Sequence, residues 1–200
     1  MVYLTPAPQG YDTWRVLARS RRATGGMVWD LATLKIDNYR NFRIKGTGTL
    51  SGSTPTSYPY LFVTINGDIT ASTYQSEYTK HWDGVITETD SPVTTSIRMG
   101  ELPTAKNGYF TFDLEVNQPI IPPREVSSTT PRIYTQIKGR CDVVDTTTPN
   151  AGYFLFSGMY TPADATTALT RIEIWMTNYG SASPHHSFNF MIPASVSAVI

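Results

Sequence analysis

The residues able to do chemistry are few, and their spacing is loose. Asp68, Glu77, His81 and Asp83 share one short stretch. Two carboxylates beside a histidine could move protons, and a group of acids could hold calcium. The stretch has no dense alternation of acids, however, and acids in turn-rich segments are ordinarily solvated. His185 and His186 could ligate a metal, yet neighbours on a strand point to opposite faces and do not easily reach one ion. A polar strand start after Pro184 is the plainer reading. No nucleophile elbow, phosphate-binding glycine loop or zinc-protease motif is present. Cys141 is the sole cysteine, which rules out an intrachain disulfide and a thiolate cluster. It falls in a strand pattern and reads as a small core residue. The expectation is a protein that is not an enzyme and uses no metal and no cofactor.

Two sets of residues point instead to binding. Arg15, Arg19, Arg21 and Arg22 form the one concentration of charge. Trp14, Leu17 and Trp29 lie around them and supply apolar groups that need cover. Trp14, Leu17, Arg19, Arg21, Arg22 and Trp29 are therefore the candidate partner contacts, suited to an acidic protein surface. The second set is aromatic: Tyr58, Tyr60, Tyr74, Tyr78, Trp82 and Trp175. A ring face on a sheet can stack on the C–H face of a sugar, and a polar tip stays wet. Tyr74, Tyr78, Trp82 and Trp175 are the candidate glycan contacts. Packing against a neighbouring subunit explains the same residues equally well.

The elements that must position these side chains are strands. Charged residues make up only 16% of the chain and aromatic residues 12%, while Thr and Ser are abundant, a bias toward pleated, half-buried surfaces. Period-two alternation begins near residue 30. In "NFRIK", Phe42 and Ile44 alternate with Arg43 and Lys45. In "GYFTFDLEV", Phe110, Phe112, Leu114 and Val116 face one way, and Thr111, Asp113 and Glu115 the other. In "LTRIEIWM", Ile172, Ile174 and Met176 oppose Arg171, Glu173 and Trp175. "FVTINGDITASTY" reads as a hairpin, because both central positions of an Asn-Gly turn take positive φ. "DGVITETDSPV" reads as a loop, and "NQPIIPPREVSS" as a proline-rich crossing. The sum is a jelly-roll-like antiparallel β-sandwich of about nine or ten strands. It spans residues 30–200. Residues 1–29 read as an extended N-terminal arm because of the prolines in "MVYLTPAPQG". Removing residues 1–22 is expected to leave a folded sandwich.

Length and charge set the outer bounds. Two hundred residues suit one domain with an arm. Lys plus Arg is 16 and Asp plus Glu is 16, so there is no basic excess for nucleic acid. A neutral chain of low charge density tends to associate, which suits a subunit of a homo-oligomer. There is no apolar run long enough to span a membrane. The first residues lack the charged start and apolar centre of a signal peptide, so synthesis in a cytoplasm is expected.

One ordered series resembles a group of tailed-bacteriophage virion proteins. An apolar strand ending in Asn-Gly-Asp, Phe62 through Asp68, is followed by a tyrosine-bearing strand, Tyr74 through Tyr78. A short segment, Ile97 through Pro103, and a late strand, Leu169 through Ile174, complete it. The resemblance covers about residues 40–180. It implies a β-sandwich building block of a head, tail or fibre, located in the virion and made in the host cytoplasm. The partners it implies are major capsid or tail proteins and further copies of the chain, a trimer being one such state. A module at a fibre tip that binds a host surface glycan is the alternative. No catalytic residue is implied.

Overall fold

The computed structural model describes residues 14–22, 27–30, 41–51, 59–71, 73–102, 108–118, 120–121, 132–145, 150–162, 169–177 and 183–193. Among these residues there are fourteen strands and no helix. They are β1 (Trp14–Arg22), β2 (Met27–Asp30), β3 (Asn41–Ser51), β4 (Tyr60–Ile65), β5 (Tyr74–Trp82), β6 (Val85–Thr94) and β7 (Ile97–Glu101). Then come β8 (Tyr109–Asn117), β9 (Ile120–Ile121), β10 (Arg132–Ile133), β11 (Thr135–Asp145), β12 (Asn150–Tyr160), β13 (Arg171–Thr177) and β14 (Ser183–Pro193).

The strands form an eight-stranded sheet, β1-β14-β3-β8-β11-β12-β5-β6, and a four-stranded sheet, β2-β13-β4-β7. A two-stranded ribbon joins β9 and β10. Every pairing is antiparallel. Four of the pairings are nested in sequence: β1 with β14, β2 with β13, β3 with β8, and β4 with β7. Nested pairs make one long antiparallel ribbon. Successive pairs along it fall alternately in the large and the small sheet, so the ribbon is rolled up. This is the double Greek key of a jelly roll. The β5–β6 hairpin is inserted at the ribbon's tip, between β4 and β7, and the β11–β12 hairpin interrupts the returning limb. Both extend the large sheet beyond β8.

Alternation explains the core. Phe42 and Ile44 of β3, Phe110 through Val116 at alternate positions of β8, and Phe154 and Phe156 of β12 are buried. They meet Leu61, Val63 and Ile65 of β4, Ile97 and Met99 of β7, and Ile172, Ile174 and Met176 of β13. Cys141 is fully buried among them, as its strand position leads one to expect. The two layers approach closely at β7, where a side chain on Gly100 would begin 3.1 Å from Cys141 Sγ.

Three local expectations need correcting. First, Asn66-Gly67 does turn the chain, with φ of 57° and 67° and a bond from Asp68 N–H to the Ile65 carbonyl at 3.0 Å. It does not form a hairpin, because β4 belongs to the small sheet and β5 to the large one. Second, the hairpin of this region is made by Asp83-Gly84, with φ of 49° and 76° and Trp82 opposite Val85. The segment read as a loop is therefore largely β6. Third, the described part of the segment read as an arm is paired: β1 lies along β14 and β2 along β13. The prolines that suggested an arm, Pro6 and Pro8, lie outside the described residues.

Candidate functional site

The sandwich does not gather the four aromatics singled out for glycan contact. Tyr74 is fully buried. Its hydroxyl accepts from Ile65 N–H at 2.8 Å and donates toward the Asp68 carbonyl at 2.8 Å, with the Ile65 carbonyl at 3.2 Å. Burial pushes its pKa up. Tyr74 is thus a structural pin and has no free face for a sugar. Tyr78 and Trp82 sit on the same side of β5, packed against the core. The Trp82 ring lies over Gly152, where an added side chain would begin 2.3 Å from it. Trp175 alone faces outward, on the other sheet, since its neighbours Ile174 and Met176 are buried.

What the fold does assemble is a belt of rings and one cation. Trp175 of β13 stacks on Phe62 of β4, with centroids 4.7 Å apart at 25°. Phe62 meets the edge of Tyr60 at 6.0 Å. The Arg98 guanidinium of β7 lies 3.8 Å from the Tyr60 centroid and 5.0 Å from that of Tyr78. Arg98 also donates to the Tyr78 hydroxyl at 3.1 Å and pairs with Glu101, which in turn pairs with Lys80. The belt runs across the outer face of the small sheet and round its β7 edge onto β5. Side chains of Arg98, Lys80 and Glu101 keep only 23%, 25% and 14% of their exposure, so salt screens their pairing less than it screens exposed pairs. Such a surface stacks on flat or aliphatic groups and offers cation–π geometry. Tyr60 and Phe62 are legible in the outward positions of "YLFVTI". Arg98 carries no such signal, because its role depends on a strand from elsewhere in the chain.

Asp68, Glu77 and His81 each have a partner of their own. Asp68 accepts from Thr70 N–H at 2.8 Å and from the Tyr160 hydroxyl at 3.1 Å. Burial works to raise its pKa, and these bonds outweigh burial and lower it. Glu77 accepts from the Ser157 hydroxyl at 2.6 Å. His81 stacks on Tyr153, centroids 5.0 Å apart at 8°. Asp83 is in the hairpin turn. Among the described residues no three His, Cys, Asp or Glu side chains stand close enough to hold a metal ion. His185 and His186 pair with Thr49 and Gly48 as consecutive positions of β14.

The outer face of the large sheet is a ladder of ion pairs. Asp113 takes Arg43 at 2.5 Å and Lys45 at 3.1 Å. Lys138 meets Glu115 at 3.2 Å, and Arg140 meets Asp142 at 2.6 Å. The more exposed of these, Lys138–Glu115 and Arg140–Asp142, contribute little stability each. The ladder makes a wet face on which most charges are paired. Trp14, Leu17, Arg19, Arg21 and Arg22 are all in β1 and Trp29 is in β2, so the candidate partner contacts fall on one edge of each sheet. No described helix is long and apolar enough to cross a membrane. No family model, no curated protein and no solved structure matches the chain.

Proposed function

We propose that the chain is a structural subunit of a virus particle, an oligomeric jelly-roll block on the head or tail of a tailed phage. The observation that carries this reading is the nested ribbon, β1:β14, β2:β13, β3:β8 and β4:β7, rolled into two sheets. Double-sheet jelly rolls recur in viral capsids, and also in lectins and cupins, so the support is analogy of fold. The order of strand motifs that resembles tailed-phage virion proteins selects among those hosts. The paired charges of the sheet face and the near-zero net charge suit a block that packs beside copies of itself. The test is to purify particles from the source that encodes the chain, identify it by mass spectrometry, and find the two-sheet density in the imaged particle. Its absence from purified particles would end this reading.

The alternative is a glycan-binding module, and one observation favours it: the outward belt of Trp175, Phe62 and Tyr60 beside Arg98. A glycan array probes it directly. Binding lost in Trp175→Ala but kept in Trp82→Phe would place the sugar on the small sheet.

A further inference from the structure

The large sheet ends in β1 on one side and β6 on the other, and no described strand pairs with the outer side of either. A free edge presents a row of backbone donors and acceptors. The two edges are opposite in charge. β1, "WRVLARSRR", contains four arginines and no acid. β6, "VITETDSPVT", contains Glu88 and Asp90 and no base. Glu88 is exposed, and Val85 and Ile86 of the same strand are each 63% exposed.

We infer that β1 of one copy adds to β6 of the next, so that the large sheet continues from subunit to subunit in a cyclic homo-oligomer. The inference concerns contact between copies and does not depend on what the oligomer belongs to. Direction supports it first. Eight strands in antiparallel order leave the two edges running oppositely. A second copy in the same orientation therefore continues the antiparallel pattern without inversion, as a head-to-tail ring requires. Charge supports it next. Pairing β6 with β6 would set acids against acids, and pairing β1 with β1 would set arginines against arginines, both unfavourable. Only β1 against β6 joins unlike charges, so the edges select against the wrong partner as well as for the right one. Spacing supports it last. Arg19 and Arg21 are two apart, as are Glu88 and Asp90. An antiparallel register that places Arg19 opposite Asp90 also places Arg21 opposite Glu88. Pro92 cannot donate, and it falls in the irregular stretch between the Ser91 and Thr94 pairings. The regular part of β6 therefore contains both acids.

Sedimentation velocity across a range of protein concentration tests this, with circular dichroism to confirm folding. The native chain is expected to form one discrete multimer. Glu88→Lys/Asp90→Lys and Arg19→Glu/Arg21→Glu should each remain monomeric. Mixing the two variants should restore association, because each then offers the charge that the other needs; a ring with an even number of subunits closes fully, and one with an odd number keeps a single like-charge joint. Combining all four changes in one chain should restore it too. A native chain that stays monomeric, variants that keep the native mass, or a mixture of folded variants that stays monomeric would overturn the inference. Should a reversed variant fail to fold, Arg21→Cys/Glu88→Cys gives a second readout. Oxidation should then link copies into a covalent series on a denaturing gel, and a gel showing monomer alone would overturn it.

Discussion

Tyr74 and Asp68 show how single side chains hold the crossing between the sheets. The Tyr74 hydroxyl satisfies Ile65 N–H and the Asp68 carbonyl, and Asp68 takes the Tyr160 hydroxyl. Removing that one oxygen orphans a buried N–H, which costs about 1–3 kcal/mol. Tyr74→Phe is accordingly expected to lower the unfolding free energy by about that amount in a denaturant titration, with the fold kept. Asp113 carries a pH effect. Burial works to raise its pKa, but the bonds and charges of Arg43 and Lys45 prevail and lower it. A carboxylate whose folded pKa lies below its unfolded value, about 3.9, stabilises the fold fully above that value. The contribution is lost as pH falls through the lower, folded pKa. Asp113→Asn should thus flatten the acid limb of the stability profile below about pH 4, measured by thermal melts along a pH series. A profile that stays as steep as the native one would show that the pairs with Arg43 and Lys45 do not act in solution. Cys141 belongs to the same scale: burial raises its thiol pKa, so the thiolate that reacts is scarce.

At the scale of elements, two glycines separate crowding from turn geometry. An added side chain at Gly139 of β11 would begin 2.2 Å from the Asp113 carbonyl oxygen and 2.6 Å from the Phe156 ring. The oxygen is backbone of a paired strand and cannot move aside. Gly84 has open space around it and a φ of +76°. Gly139→Ala should therefore destabilise at or above the upper end of about 1–3 kcal/mol. Gly84→Ala should cost about 1–2 kcal/mol, from the left-handed backbone alone. Equilibrium unfolding of both variants checks the order, and equal losses would contradict the packing of β8, β11 and β12. Asn66-Gly67 and Asp83-Gly84 are equally good turn dipeptides, yet only the second closes a hairpin. After Gly84 the chain resumes a strand pattern. After Gly67, Asp68 accepts the Thr70 N–H and leads the chain away from β4.

For the whole molecule, the consequence of the nested ribbon is that its two ends close each other. β1 pairs with β14 from Trp14 opposite Pro193 to Arg22 opposite His186. Deleting residues 1–22 removes β1 and leaves β14 as a bare edge. The truncated chain should melt at a lower temperature and aggregate more readily than the full chain, as seen by light scattering during a thermal ramp. A truncated chain that matches the full one in both would mean that β1 adds nothing to the sandwich. The same deletion removes one of the two edges through which copies are inferred to meet, so stability and assembly should fall together. Substitution of the charges alone separates them.

Alternation by itself determined the buried face of β3, β8 and β13, because period two is a local property that no partner strand can change. Phe42, Ile44, Leu114 and Ile172 are inside wherever those strands lie. Composition likewise determined an all-β fold, and the strand position of Cys141 its burial. Pairing was beyond the sequence's reach. Which strand lies beside which depends on burying two sheet faces at once, and that balance involves residues far apart in the chain. Hence the described part of the segment read as an arm became two edge strands, and a segment read as a loop became largely β6. Hence also Tyr74, which reads as one more surface aromatic, is a buried pin, while Trp175, Phe62 and Arg98 meet only because β13, β4 and β7 are neighbours in the rolled ribbon.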